Sequence, residues 1–302
     1  MSQPRDHHFV PVFYLKHWTN SNGKLIEYSR PYRNKVVAKP VGPRATGYQT
    51  DLYAFEHLPA EIAQYLEATF LNRADDKASI ALDKFLSGDA APWTPELRSA
   101  WSRFVINCVV RHPHPFAEIK AVTYDHWLRP DDLTQQEYER LRTSGDPPTF
   151  REYVLAQGDH LADRIRIQFL QAALDNDRAG LRLNNMNWNI LDLSGADFRL
   201  LTSDWPLSRE INGERMAFML PISPTVLFTA TTHPDIFLTL RRKRPNALVR
   251  AINTEVVSQA RLYAYSQDKT QERFITNRMS SRMQPQPFFP SLIRDGPPGG
   301  ER

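Results

Sequence analysis

The spacing of the hydrophobic residues changes near residue 180, and this change limits the folds that are open to the chain. Before that point, apolar side chains recur every third or fourth residue over long stretches, which is typical of helices. After it come short runs of β-favouring residues separated by turns. Because the two patterns do not alternate, the sequence predicts an α+β fold in which a helical first half packs against a mainly antiparallel sheet from the second half.

The first half contains three long predicted helices. Their expected bounds are Pro59 to Gly88, Thr94 to Pro113 and about 151–176, the last with Gly180 just past its end. Thr94 is an N-cap candidate, and Pro95 fits a first helical turn because that position needs no N–H donor. The polar stretch 129–149 is expected to form a surface excursion.

The strand signals lie mainly in the second half, at 186–193, 198–202, 216–220, 225–230 and 263–265, with a helix over 247–262. A hairpin of Leu25–Tyr28 with Val36-Val37 precedes a loop over 38–50. We expect one globular α+β domain over residues 1–283, helix-rich over 1–180 and strand-rich over 181–283. The tail 284–302 is rich in Pro, Gly and charge, which predicts disorder.

The composition narrows the class of protein. Lys and Arg total 38 against 34 Asp and Glu, and this mild excess permits a phosphate-bearing ligand or nucleic acid as partner without requiring one. Cys108 is the single cysteine, so neither an intrachain disulfide nor a multi-cysteine metal centre can form. Without a secretory signal or a long uncharged apolar run, we expect a cytoplasmic protein with no membrane partner.

Several familiar catalytic motifs are missing from the sequence. It contains no Gly-x-Gly-x-x-Gly after a strand, no Walker phosphate loop, no Gly-x-Ser-x-Gly elbow and no His-Glu-x-x-His. We therefore predict no organic cofactor, while a divalent metal stays possible.

The histidine pair His7-His8 is the first candidate for chemistry. Neighbouring residues of an extended chain point to opposite sides, so we expect at most one of the two to face a given site. A histidine there can act as a general base, a metal ligand or a phosphate contact. The alternative is a histidine that ties down the N-terminus through backbone hydrogen bonds.

The end of the second helix, Asn107 to Pro115, is another candidate. Arg111 can serve as an anion clamp with His112 or His114 beside it, or it can simply stabilise the negative end of the helix dipole. The basic run Arg241-Arg242-Lys243-Arg244 can contact phosphates, although such runs are usually solvated loops.

Two acidic residues complete the set. Asp204 follows an apolar run and precedes Trp205-Pro206, so it can orient His7 or His8 or hold a metal with one of them. Its alternative role is to bond the backbone of its own turn. Glu67 is a further acid candidate, with a solvated helix charge as its alternative.

Together these segments resemble the domain of unknown function 4238 family, found mainly in bacteria. The resemblance rests on the opening run His7-His8-Phe9-Val10-Pro11 and continues through five later segments: Glu67, Arg111-His112-Pro113, Thr202 to Pro206, Pro221-Ile222-Ser223-Pro224 and Asn253 to Ser266. The family's name implies no activity. The resemblance does single out seven polar positions, namely His7, His8, Glu67, Arg111, Ser203, Asp204 and Asn253.

Two functions follow from these positions. If the polar residues converge on one cleft, His, Asp and Arg together suit hydrolysis or transfer at a phosphate ester, with nuclease-like activity as the most concrete form. If they are instead a buried polar network that fixes the N-terminal segment, the chain is a non-enzymatic binding or interaction protein. Whether the protein is an enzyme is left open by the sequence.

Overall fold

The computed structural model describes residues 5–32, 35–54, 71–118 and 128–282. Within these ranges the chain forms helices, concentrated in the first half, and antiparallel sheets, so the predicted α+β class is confirmed. No helix in the described ranges is long and apolar enough to cross a membrane. The start of the first long predicted helix, Glu67 included, and the tail 284–302 lie outside the described residues.

The strands are β1 (Asp6–His8), β2 (Leu25–Tyr32), β3 (Lys35–Val41), β4 (Tyr48–Thr50), β5 (Asn187–Asp192), β6 (Thr202–Ser203), β7 (Ser208–Asn212), β8 (Arg215–Pro221), β9 (Val226–Thr231) and β10 (Tyr263–Ser266). The helices are α1 (Val12–Leu15), α2 (Asn72–Ser87), α3 (Pro95–Val110), α4 (Asp132–Leu141), α5 (Phe150–Ala156), α6 (Asp159–Leu174), α7 (Asp177–Asn184), α8 (Pro234–Arg241), α9 (Pro245–Ser258) and α10 (Glu272–Arg278). Short 3₁₀ helices cover Lys16–Trp18 and Pro43–Ala45.

The described strands form three sheets, where the sequence predicted a single sheet from the second half. β1 pairs with β4, the second sheet has the order β3-β2-β10-β6, and the third has the order β5-β9-β8-β7. The predicted hairpin is confirmed as β2–β3, but β3 and β4 occupy much of the expected loop 38–50. Since β10 pairs with both β2 and β6, the second sheet joins the two ends of the chain.

Two layers of helices cover the third sheet, one on each face. Alternation along β8 and β9 sends Met219 and Leu227 into a cluster with residues of α8 and α9. Their neighbours Leu220 and Phe228 point to the opposite face and join the main core with Trp101 of α3. The central strands β8 and β9 are buried on both sides, and α3 packs against one of these faces.

The helix predictions were partly right. Thr94 caps α3 by accepting a hydrogen bond from Leu97 N–H, as its position in the sequence indicates. The third predicted helix is divided into α5 and α6 because Gly158 adopts a positive φ of 68°, and Gly180 lies inside α7 instead of terminating a helix. The expected excursion 129–149 contains α4, whose N-cap Asp131 accepts from Thr134 N–H.

The aromatic segment after Pro11 anchors the N-terminus in the core. Tyr14, Leu15 and Trp18 are fully buried. The Tyr14 hydroxyl donates to the Pro221 carbonyl at 2.7 Å and lies 2.6 Å from the Thr202 hydroxyl. This short stretch therefore connects to both β6 and the end of β8, and it fixes the path of the histidines that precede it.

Candidate functional site

His7 is buried, and its two ring nitrogens have different surroundings. Nδ1 accepts a hydrogen bond from Tyr53 N–H at 2.9 Å, and the two rings stack with their centroids 5.4 Å apart. Nε2 is enclosed and has no hydrogen-bond partner among the described residues. Burial lowers the pKa of His7, against the opposing charges of Asp51 and Asp6. The ring is thus held neutral at pH 7.

His8 is half-buried and has different neighbours. Its Nε2 lies 3.3 Å from the Arg44 carbonyl, and its ring is tilted against that of Tyr48. Burial lowers the pKa of His8, and the charges of Arg111 and Asp75 act on it in opposite directions. Since β1 is extended, the alternation of its side chains places only this histidine in the field of Arg111.

Arg111 forms a bidentate ion pair with Asp75 of α2. Its two terminal nitrogens lie 2.8 Å and 3.2 Å from the two carboxylate oxygens. The guanidinium side chain is 2% exposed and the carboxylate 23% exposed, so the pair opens towards solvent on the Asp75 side. Burial raises the pKa of Asp75, and the Arg111 charge opposes that rise.

The backbone of Arg111 belongs to the same cluster. Its carbonyl accepts a hydrogen bond from the Tyr53 hydroxyl at 3.0 Å, and Tyr53 N–H is the donor to His7. Tyr53 therefore connects the N-terminal strand to the C-terminal end of α3. We call His7, His8, Asp75 and Arg111 the histidine–arginine cluster.

Asp204 lies in a second buried arrangement, with His112. The His112 Nε2 is 3.1 Å from Asp204 Oδ2, and Asp204 also accepts from the backbone N–H groups of Arg261 and Leu262. The His112 ring lies edge-on between Phe9 and Trp205. The carboxylate was expected to orient His7 or His8; the structure pairs it with His112 instead and uses it to hold the start of β10.

Ser203 and Asn253 have structural partners. The Ser203 hydroxyl accepts from Trp205 N–H at 3.1 Å. The Asn253 amide accepts from Leu201 N–H and donates to the Arg199 carbonyl, each at 2.8 Å. Both side chains are fully buried, and their bonds fix the segment that carries β6.

The structure thus divides the sequence-derived positions into two groups. His7 and Arg111 are both bonded to Tyr53, and His8 lies within the field of Arg111 and Asp75, whereas Asp204, Ser203 and Asn253 hold backbone around β6 and β10. Asp75 of the histidine–arginine cluster was not predicted from the sequence, because nothing distinguishes it there from an ordinary charged residue on the surface of a helix. Glu67 lies outside the described residues.

In the described part of the chain, no three His, Cys, Asp or Glu side chains come together as a metal site would require. The basic run from Arg241 to Arg244 is exposed at the junction of α8 and α9. What the histidine–arginine cluster can offer chemically is a neutral imidazole near a guanidinium and a carboxylate, which is a set suited to proton transfer beside an anion.

The family resemblance carried by the motifs is confirmed over most of the chain. A family model described as "Protein of unknown function (DUF4238)" matches residues 6–270. The chain belongs to this family, and every residue of the histidine–arginine cluster lies within the matched range. No curated protein and no solved structure matches the chain.

Proposed function

We propose that the protein is a hydrolase or transferase that acts on a phosphate ester, and that the histidine–arginine cluster is its reactive site. The observation that carries this proposal is that two titratable side chains with displaced pKa values, His8 and Asp75, lie in the field of one guanidinium, with His7 joined to the backbone of Arg111 through Tyr53. The pKa values of His7 and His8 are lowered and that of Asp75 is raised, in each case chiefly by burial. Such groupings are typical of functional sites.

His8 is the proposed general base. Its lowered pKa leaves the ring neutral near pH 7, so a nitrogen can accept a proton from the attacking hydroxyl group. That hydroxyl belongs to water in hydrolysis and to an alcohol in transfer, and the phosphorus–oxygen ester bond breaks as the leaving oxygen departs. His8 is better placed than His7 because its ring is only half-buried.

Arg111 is the proposed source of positive charge for the negative charge that develops on the phosphate. Its guanidinium is paired with both oxygens of Asp75 and nearly closed to solvent, so it would act on the phosphate through its charge and not as a direct two-pronged contact. Glu67, from the same motif series, is retained as a candidate acid or metal ligand. The exposed run Arg241 to Arg244 would help to retain a polyanionic substrate, which favours a nuclease-like activity in the cytoplasm.

The test is a comparison of purified variants on phosphomonoester and phosphodiester substrates, with and without Mg²⁺ or Mn²⁺. His8→Gln keeps a donor for the Arg44 carbonyl but removes the titrating ring, and activity should fall by about 10²–10⁴-fold. His114→Gln is the matched control, because His114 is half-exposed and pairs with Glu118. Equal activity of the two variants would reject His8 as the base.

A second candidate function is that of a non-enzymatic binding protein. The observation that favours it is the complete use of Asp204 by His112 and two backbone N–H groups, as expected for a structural network. If the wild-type protein is inactive on all the phosphomonoester and phosphodiester substrates, and His8→Gln is stable and folded, the result supports a non-enzymatic binding protein.

A further inference from the structure

A cavity of about 270 Å³ lies between α3, α7 and the third sheet, apart from the histidine–arginine cluster. Its apolar wall includes Ile106 and Val110 of α3, Leu207 just before β7, and Phe218 of β8. Trp205 and Arg209 also line it. The lining therefore combines two aromatic rings and several aliphatic groups with a single charged side chain.

The sheet geometry explains why these residues share a face. Leu207 and Arg209 are two positions apart, and Arg209 lies directly opposite Phe218 in the β7–β8 register. The intervening Ser208 is opposite Met219, which packs on the other face against α8 and α9. Because side chains alternate along β7, Arg209 lies on the same face as Leu207 and Phe218, at the edge of their apolar surface.

The side chain of Arg209 is exposed at the mouth of the cavity, and it forms no hydrogen bond or ion pair with a residue that the structure describes. Several other arginines in these ranges do pair with carboxylates, for example Arg103 with Asp175 and Arg215 with Asp235. A cation beside an apolar cavity with no carboxylate to neutralise it favours an anionic group at that position.

Trp205 gives the cavity a fixed wall. The Gln259 amide donates to the carbonyls of Trp205 and Leu207, at 2.7 Å and 3.1 Å, and so holds the backbone of that segment. The Arg261 guanidinium lies over the indole ring, 4.5 Å from its centroid. The wall is thus formed before any ligand arrives, which lowers the cost of binding.

We propose that this cavity binds a small molecule with an apolar body and one anionic group, the body against Trp205 and Phe218 and the anion at Arg209. A cavity of about 150 Å³ holds one benzene ring, so this volume accommodates a single ring with a short chain. The inference does not depend on the proposed phosphate-ester chemistry, because it uses none of the histidine–arginine cluster.

The test uses 4-phenylbutyrate as the anionic probe and 4-phenylbutyramide as its uncharged counterpart, with binding measured by calorimetry on the full chain. Wild-type protein should bind the acid about fivefold or more tightly than the amide, as expected for one partly solvated charged hydrogen bond. Arg209→Gln should remove that preference. Ala179→Phe, which fills the cavity from α7, should weaken both ligands at least tenfold.

Two control variants show whether the acid binds in this cavity or elsewhere on the protein. Arg182→Gln changes an exposed arginine of α7 that does not line the cavity, and it should bind the acid as the wild type does. His8→Gln should also bind normally, whatever its effect on phosphate-ester activity. No binding of the acid to wild-type protein at millimolar concentration, or wild-type affinity in both Arg209→Gln and Ala179→Phe, would overturn the proposal.

Discussion

The Nε2 atom of His112 lies 3.1 Å from Oδ2 of Asp204, and the two residues are 92 positions apart in the chain. The other ring nitrogen, Nδ1, accepts a hydrogen bond from His114 N–H at 3.2 Å. The proton of a neutral imidazole must therefore be on Nε2, where it is donated to the carboxylate. This bond connects the segment after α3 to the segment after β6, and Asp204 in turn accepts from the backbone N–H groups of Arg261 and Leu262, just before β10.

The first prediction concerns His112. Replacing it with alanine leaves the buried Asp204 carboxylate without its side-chain donor, and the free energy of unfolding should fall by about 3 kcal/mol. His112→Gln places an amide N–H near the same carboxylate and should cost less than about half of that. Urea denaturation of both variants measures the two free energies of unfolding. Equal losses of stability in the two variants would show that the hydrogen bond to Asp204 does not stabilise the fold.

The second prediction concerns the turn that receives the N-terminal strand. Gly47 has a φ of 67°, and its carbonyl accepts from Phe9 N–H and Val10 N–H. A Cβ added there would lie 2.9 Å from Val10 Cβ. Gly47→Ala should therefore reduce the free energy of unfolding through both the backbone conformation and the clash, and should weaken the hold on Phe9 and Val10.

Gly88 provides a matched control for that change. It has the same φ of 67°, but a Cβ added to it meets nothing within 4 Å. Gly88→Ala should lower the free energy of unfolding by roughly 1 kcal/mol, because only the left-handed backbone conformation becomes unfavourable. Gly47→Ala should lower it by at least about 1 kcal/mol more, because the clash adds to that cost. Urea denaturation compares the two, and faster exchange of the Phe9 and Val10 amides in Gly47→Ala would confirm local loosening. Equal costs would contradict the packing described for Val10.

The third prediction concerns pH. The pKa of folded His7 is lowered by burial, so the unfolded chain binds more protons as the pH falls below about 6.5. The stability that His7 contributes is complete above that pH and is lost as the pH falls towards its folded pKa. The charged and titratable neighbours Asp6, Asp51 and His8 are unchanged in a His7→Asn variant, which keeps an acceptor for Tyr53 N–H.

Unfolding free energies at pH 7.5 and pH 5.5 provide the measurement. The wild type should lose more stability between the two values than His7→Asn does, because the unfolded wild type takes up a proton on His7 that burial keeps off the folded protein. Asp75 has a raised pKa and contributes in the opposite sense, but it is common to both proteins and cancels in the comparison. Parallel pH curves would contradict the burial of His7.

Local signals in the sequence predicted local structure well. Thr94 with Pro95 placed the start of α3 because capping depends only on neighbouring residues. The interruption at Gly158 was missed, since the apolar periodicity runs on through a residue whose positive φ ends the helix. β6 was missed as part of the second sheet because a strand of two residues is defined by its partner β10 and not by its own pattern.

The candidate site, too, could be predicted from the sequence only in part. His7, His8 and Arg111 could be selected from residue type and motif, but which acid they would meet could not. Asp75 reaches Arg111 through the packing of α2 on α3, and Asp204 meets His112 across 92 positions of chain. Pairings of this kind are set by tertiary structure, and a residue's immediate neighbours in the sequence carry no trace of them.

Asp204 has a structural role, whereas His8 is proposed to be available for chemistry. Measuring the free energy of unfolding of Asp204→Asn and of His8→Gln by urea denaturation tests this distinction. Asp204→Asn exchanges an acceptor of three hydrogen bonds for an amide and should lower the free energy of unfolding by about 3 kcal/mol or more. His8→Gln alters one long bond of a half-buried ring and should change it by less than about 1 kcal/mol. An Asp204→Asn variant that unfolds at the wild-type urea concentration would refute the structural role of Asp204.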